Sequence, residues 1–240
     1  MGPTFRPLMV DRVPRYREAA YAAIKEAILN GQFEPGRPLI EEQIATELQI
    51  SRTPVREALA ILQHEQLLSP RGGRGLYVRE LTREEFVAMF IANEAVEPYL
   101  VRRAARLATA EQLAEIKSAI DRGKEAADHH NIGGALRSGR DFHRLVGVAA
   151  DNMPLTQFVS GNEERTDLYL LSYEKAVDVP GMRASNREHE AILHALAEGD
   201  PEAAVRLVIY HSQSVRERLA MLFTSETEKQ RSAGSILVGG

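Results

Sequence analysis

Apolar residues recur at helical spacing along most of the chain. Ala20, Ile24, Ala27 and Ile28 lie three or four apart, which predicts one buried face of a helix running from Pro14 to a stop at Gly31. Phe33-Glu34-Pro35-Gly36 breaks the period with turn residues. A short helix over 41–48, a tight turn at Gln49-Ile50 and a longer helix over 51–68 follow, the last with Val55, Ala58, Leu59 and Leu62 as its buried stripe. Pro70 to Gly75 is a glycine-rich turn, and Leu76-Tyr77-Val78 alternates like a short strand. Helix, helix, turn, helix and hairpin predict a winged helix-turn-helix over residues 14–79. Residues 1–13 carry prolines and no period, which predicts a flexible arm.

Beyond a linker at 80–82 the strand signal ends. Six long helices are predicted, near 83–108, 110–129, 131–150, 153–176, 182–198 and 201–223. Thr109, Asn131-Ile132-Gly133-Gly134, Asp151-Asn152, Val179-Pro180-Gly181 and Gly199-Asp200-Pro201 mark their breaks. Connections this short favour antiparallel neighbours. The fold class is therefore mainly α: a winged domain, then a helical bundle over 83–223, then a polar, flexible tail over 224–240.

Composition removes several functions. The 240 residues include no cysteine, which excludes a disulfide framework, a thiolate zinc finger, an iron–sulfur protein and a cysteine nucleophile. No apolar run approaches the length of a membrane span, and no leader pattern opens the chain, so a cytoplasmic protein is expected. The net charge of −4 divides unevenly. Residues 1–80 hold eleven Lys/Arg against ten Asp/Glu, and the remainder hold nineteen against twenty-four. That asymmetry permits a nucleic-acid partner without arguing for one.

The run Ser51-Arg52-Thr53-Pro54-Val55-Arg56 carries the first candidate chemistry. Ser51 or Thr53 can cap a helix, and Pro54 fits its first turn. With Val55, Ala58 and Leu59 turned inward, Ser51, Arg52, Thr53 and Arg56 face solvent at the end of a helix that a helix-turn-helix presents to the major groove. Arginine can fork onto guanine or grip phosphate, and a hydroxyl can hold a backbone oxygen. Arg71, Gly72 and Arg74 would form the wing tip, within reach of the minor groove or phosphates. The competing reading is a surface helix whose arginines pair with Glu57 or Glu47.

Three of seven histidines fall on apolar stripes. His143 lies in Ile132, Leu136, Gly139, His143, Val146; His189 in Ser185, His189, Ile192; His211 in Ala204, Val208, His211, Val215. Inward imidazoles need partners. A core hydrogen bond is one; a shared divalent transition metal, Zn, Ni, Fe or Cu, is another. Asn93, Glu97, Asn162, Thr166 and Asn186 are further inward polar positions, and Asn93, Asn162 and Asn186 are candidates to touch a small effector. His64, His129, His130 and His194 read as surface residues.

The stretch GQFEPGRPLIEEQIATELQISRTPVREALAILQHEQLL closely resembles the DNA-binding domain of the GntR family of bacterial transcription regulators, with SRTPVREAL its most specific part. The remainder resembles the all-helical FCD effector domain of the FadR subfamily, and six helices resemble its shorter, VanR-like branch. The resemblance covers residues 15–223. It implies that Arg52, Thr53 and Arg56 contact operator DNA and that the wing lies in or near the minor groove. DFHRLVGVAADN, REHEAILHALAEGD and VIYHSQ match segments that donate metal-binding histidines, which implies His143, His189 and His211 as ligands. Two departures stand out. Glu42 occupies a place where many relatives carry a basic residue, and Gly139 stands where metal-binding relatives place an Asp. Asp141 points about 160° from His143 on a helix and cannot replace that carboxylate. Water or an effector carboxylate could complete the site, the metal could bind weakly, or the pocket could be purely organic.

These readings lead to a ligand-responsive regulator. It is expected to repress, to bind a short palindromic double-stranded operator as a homodimer, and to answer to a small organic acid. It would not be an enzyme. The alternatives are a DNA-binding dimer without an effector and a three-histidine metal-dependent hydrolase.

Overall fold

The computed structural model describes residues 13–72, 75–172 and 177–223. The chain divides into two compact units, one ending at Glu80 and the other beginning at Leu81.

The first unit orders its elements α1 (Val13–Leu29), β1 (Pro38–Leu39), α2 (Glu41–Glu47), α3 (Arg52–His64), β2 (Leu68–Pro70) and β3 (Leu76–Val78). Ala20, Ile24 and Ile28 of α1 are buried with Val55, Ala58, Leu59 and Leu62 of α3, so the two predicted stripes meet. Gly31, at φ +74°, closes α1 in the left-handed conformation that glycine adopts without a Cβ clash. The strands form one antiparallel sheet in the order β1-β3-β2. Gly36 ties β1 to it, its N–H donating to the Val78 carbonyl at 2.8 Å.

Two expectations change here. The helix predicted over 51–68 ends at His64, because Gln66 turns to φ +62°. Leu67 and Leu68 are both buried, and Leu68-Ser69-Pro70 becomes a strand instead of a helix end and turn. The two-residue strand β1 follows the predicted turn at Phe33–Gly36 and was not predicted. The predicted arm (Val13 apart), Arg74 of the wing tip, the 173–176 end of the fourth bundle helix and the tail from 224 lie outside the described residues.

The second unit contains α4 (Arg83–Leu107), α5 (Ala110–Asp128), α6 (Ile132–Ala149), α7 (Met153–Ser172), α8 (Val179–Ala197), α9 (Pro201–Arg218) and the single turn α10 (Ala220–Phe223). Side chains start these helices where the sequence marks breaks. Thr82 with Glu85, and Thr109 with Gln112, form reciprocal capping boxes. Asn131, Asp178 and Asp200 accept from first-turn N–H groups of α6, α8 and α9. Pro180 therefore belongs to the first turn of α8, where its missing N–H is harmless, and this helix begins three residues before its predicted start. The sixth predicted helix is two, divided at Leu219.

The core joins Leu100 and Val101 of α4, Ile116 and Ile120 of α5, Phe142 and Val146 of α6, Ile192 and Leu196 of α8, and Ala204 and Val208 of α9. Phe86, Tyr169, Leu219 and Leu222 form a second cluster, with the Phe86 and Tyr169 rings stacked at 4.8 Å. No described helix is long and apolar enough to cross a membrane.

Candidate functional site

The start of α3 is an exposed polar surface. Ser51 holds the extended N-cap conformation without a side-chain cap bond, so its hydroxyl is not committed to the helix. Ser51, Arg52, Thr53 and Arg56 are all exposed. The arginines pair with neither Glu57 nor Glu47. Both reach Glu41, the first residue of α2: Arg56 donates from Nε (3.1 Å) and Nη2 (2.9 Å) to Glu41 Oε2, and Arg52 Nη2 lies 3.8 Å from the same oxygen. These bonds, led by that from Arg56, hold the Glu41 carboxyl below its usual range. On the wing, Arg71 is exposed, pairs with Glu80 and stacks over the Tyr77 ring at 5.7 Å. Gly72 is exposed at φ +57°.

In the bundle, α6, α8 and α9 bring the three striped histidines together. One ligand-capable nitrogen from each of His143, His189 and His211 lies within 4.8 Å of the others. His189 and His211 are buried, and His143 lies nearly so at the cavity edge. The His189 ring stacks on Phe142 at 3.9 Å. His211 Nδ1 lies 2.7 Å from Glu188 Oε2. A carboxylate only accepts, so Nδ1 carries the proton and Nε2 is left as the basic nitrogen. That Nε2 is 3.3 Å from His189 Nε2. Glu188 also accepts from Ser214 and both terminal nitrogens of Arg218. Burial works against its charge, yet these donors together bring its pKa down to about 2.

His143 Nδ1 lies 2.5 Å from Glu97 Oε1, an ion pair reaching in from α4. Burial disfavours the imidazolium, but Glu97, with Glu163 and Asp167 behind it, pushes the His143 pKa up to about 9. Burial and the neighbouring imidazoles drive His189 far the other way, and burial lowers His211. One imidazole of the three is thus cationic at neutral pH and two are neutral.

A cavity of ≈ 160 Å³ opens against this cluster. Asn93 and Asn186 line it. Asn162 does not: it is buried behind Asn93, donating to Asn93 Oδ1 at 2.9 Å and accepting from Arg165 at 2.6 Å. Leu136, Gly139 and His143 also face the cavity, whereas the core side of α6 is Phe142, Leu145, Val146 and Ala149. Leu136, Gly139 and His143 of the stripe read from the sequence form the cavity edge of that helix, while Val146 joins the core and Ile132 is exposed.

Family models match both units: "Bacterial regulatory proteins, gntR family" over residues 16–78 and "FCD domain" over residues 88–214. The chain is a gntR-family regulator with an FCD domain. It is 31% identical over 186 residues to a probable D-xylose utilization operon transcriptional repressor of Paenarthrobacter nicotinovorans, covering 77% of this chain and 80% of that one. It is 25% identical over 202 residues to the HTH-type transcriptional repressor RspR of Escherichia coli K12, covering 84% and 88%. The E. coli McbR/YncC structure has the same fold, with a TM-score of 0.72 at 21% identity over 87% of this chain and 97% of that one. The regulator is DNA-binding and not an enzyme, which leaves the three-histidine hydrolase without support.

The donor set of this regulator fits a transition metal. Two nitrogens held 2.0–2.1 Å from Zn at a tetrahedral angle stand about 3.3–3.4 Å apart, which is the observed His189–His211 separation. Glu97, whose Oε1 is held 2.5 Å from His143 Nδ1, sets a buried carboxylate beside the cluster. A Cβ at Gly139 would meet nothing within 4 Å, so the place of the relatives' carboxylate is open space. Asp141 is turned away, bonded to Arg122 at 3.1 Å. His64, His129, His130 and His194 are exposed.

Sequence reading missed Arg140, Glu163, Asp167, Glu188 and Arg218. Glu163, Thr166, Asp167 and Leu170 follow one another at i, i+3, i+4, i+7 and all line the cavity. A period search that counts only apolar residues does not see such a stripe.

Proposed function

We propose that this regulator is a dimeric repressor that reads a short palindromic operator with Arg52, Thr53 and Arg56, flanked by Ser51 and the Arg71–Gly72 wing, and that a small effector in the bundle cavity releases it. The observation that carries this is the joint exposure of Arg52, Thr53 and Arg56 at the start of α3, where a recognition helix meets base edges. Repression accords with the names of RspR and the D-xylose operon relative. Two-fold protein symmetry would match a two-fold operator.

Residues 14–79 serve as the DNA-binding domain, 83–223 as the effector and dimerisation domain, and 80–82 as the lever between them. His143, His189 and His211 hold a divalent Zn or Ni ion, with Glu97 supplying the carboxylate that Gly139 cannot. Bound there, the ion offers an electrophilic anchor for an effector carboxylate. Arg140, Asn93 and Asn186 orient the rest of the effector. A cavity lined by charged and amide side chains favours this over a bundle that only dimerises. The protein works in the cytoplasm, where its DNA is. To switch, the effector must bind the DNA-free arrangement more tightly, by about 1–3 kcal/mol.

The test is a gel-shift titration against an operator selected from random duplexes. Arg56→Ala and Arg52→Ala are each expected to remove specific retention while circular dichroism stays unchanged. Retention unaffected by both substitutions would overturn the assignment.

A further inference from the structure

The charges around the cavity leave one carboxylate over. Asp167 pairs with Arg140, Glu94 with Arg216, Glu97 with His143, and Glu188, behind the lining, with Arg218. Glu163 also lines the cavity. Its Oε1 accepts from Asn93 Nδ2 at 2.7 Å, and no cation among the described residues pairs with it. His143 and Arg140 act on it only from a distance, each already bonded to another acid.

Building on the effector reading above, we propose that Glu163 is the recognition point for a protonated amine, and that the effector is a small zwitterion rather than a simple organic acid. A half-buried carboxylate on a cavity wall with one amide donor is costly unless a ligand supplies the missing charge. An ammonium group does so, and its remaining N–H groups find Thr166, which lines the same wall. The ligand's carboxylate is left to Arg140, which lines the same cavity, and to the ion proposed at the histidines. A zwitterion brings a cation to Glu163, whereas a dicarboxylate sets a further anion beside it. Burial pushes the Glu163 carboxyl upward, as expected of an acid lacking its counter-charge. The ≈ 160 Å³ of space resembles cavities that take a benzene-sized guest, which suits an amino acid with a short side chain.

Titration calorimetry on the full-length protein, with and without added Zn, would compare alanine with lactate and aspartate with malate, pairs that differ in one amino-for-hydroxyl exchange. The amino member of at least one pair should bind about tenfold or more tightly. Glu163→Gln, which keeps the Asn93 contact, should bring the pair to near equality with unchanged helix content; Glu163→Asp should retain part of the preference. Tighter binding of the hydroxy acids, a preference that survives Glu163→Gln, or binding of no member of either pair would overturn the proposal. A hydroxy acid that binds and releases operator would refute the amine while leaving the effector reading standing. Operator binding lost in Arg56→Ala is a separate result that neither outcome touches.

Discussion

Glu41 grips Arg56 from one side. Its carboxylate takes the Nε and Nη2 donors at 2.9–3.2 Å, and Nη1 carries no bond among the described residues. The free protein therefore presents a guanidinium that is held in place and partly neutralised before any nucleic acid arrives. An acid so placed competes with phosphate for the same donors while leaving an edge for a base.

Glu41→Gln is expected to free both arginines for phosphate. The affinity for a random-sequence duplex should rise about 2–5-fold, the modest size expected of an exposed pair. The affinity ratio between operator and random duplex should fall. Fluorescence anisotropy at fixed salt measures both, since salt alone shifts either value. An unchanged random-duplex affinity would show that Glu41 does not restrain these side chains.

The exposed polar start of α3 was largely legible because it depends on local rules: a proline in a first turn, and an apolar stripe that dictates which residues are left outside. The three histidines were legible for the same reason, each taking the place of an apolar residue in a stripe. The boundary at Gln66 was not, since a left-handed turn at glutamine has no composition signal. Nor was the neighbourhood of Glu163 and Asp167. Asp167 is buried against Arg140 of α6 and Glu163 is half-buried against Asn93 of α4, and such partnerships become visible only once α4, α6 and α7 are packed together.

The vacancy at Gly139 and the carboxylate of Glu97 make a reciprocal pair. Glu97→Gln should weaken Zn or Ni binding by about 10–100-fold, the usual consequence of losing a carboxylate beside a metal-bound imidazole. Gly139→Asp places a carboxylate one helical turn before His143, into space that a Cβ can occupy freely. Added to Glu97→Gln, it should restore most of the lost affinity. Competition against a chromogenic chelator reads both effects. Failure of Gly139→Asp to recover binding in a correctly folded double variant would show that the cluster does not hold an ion in this way.

Asp167 gives the bundle a pH dependence of defined sign. Burial raises its carboxyl to about 6 against the opposing pull of Arg140, whereas in the unfolded chain it titrates near the ordinary value of about 3.9. Between these values the folded protein keeps a proton that the unfolded chain has released. Stability from this group is then greatest below pH 4 and declines as pH rises through 6. The change is on the order of 2–3 kcal/mol for a shift of about two units. Asp167→Asn abolishes the titration, so the stability of the native protein relative to this variant should fall between pH 4 and 6 and level off above it. Urea unfolding at half-unit pH intervals in the presence of a chelator measures the difference. A difference that is flat across this range, or that rises, would show that Asp167 is ionised throughout and that Arg140 alone decides its charge.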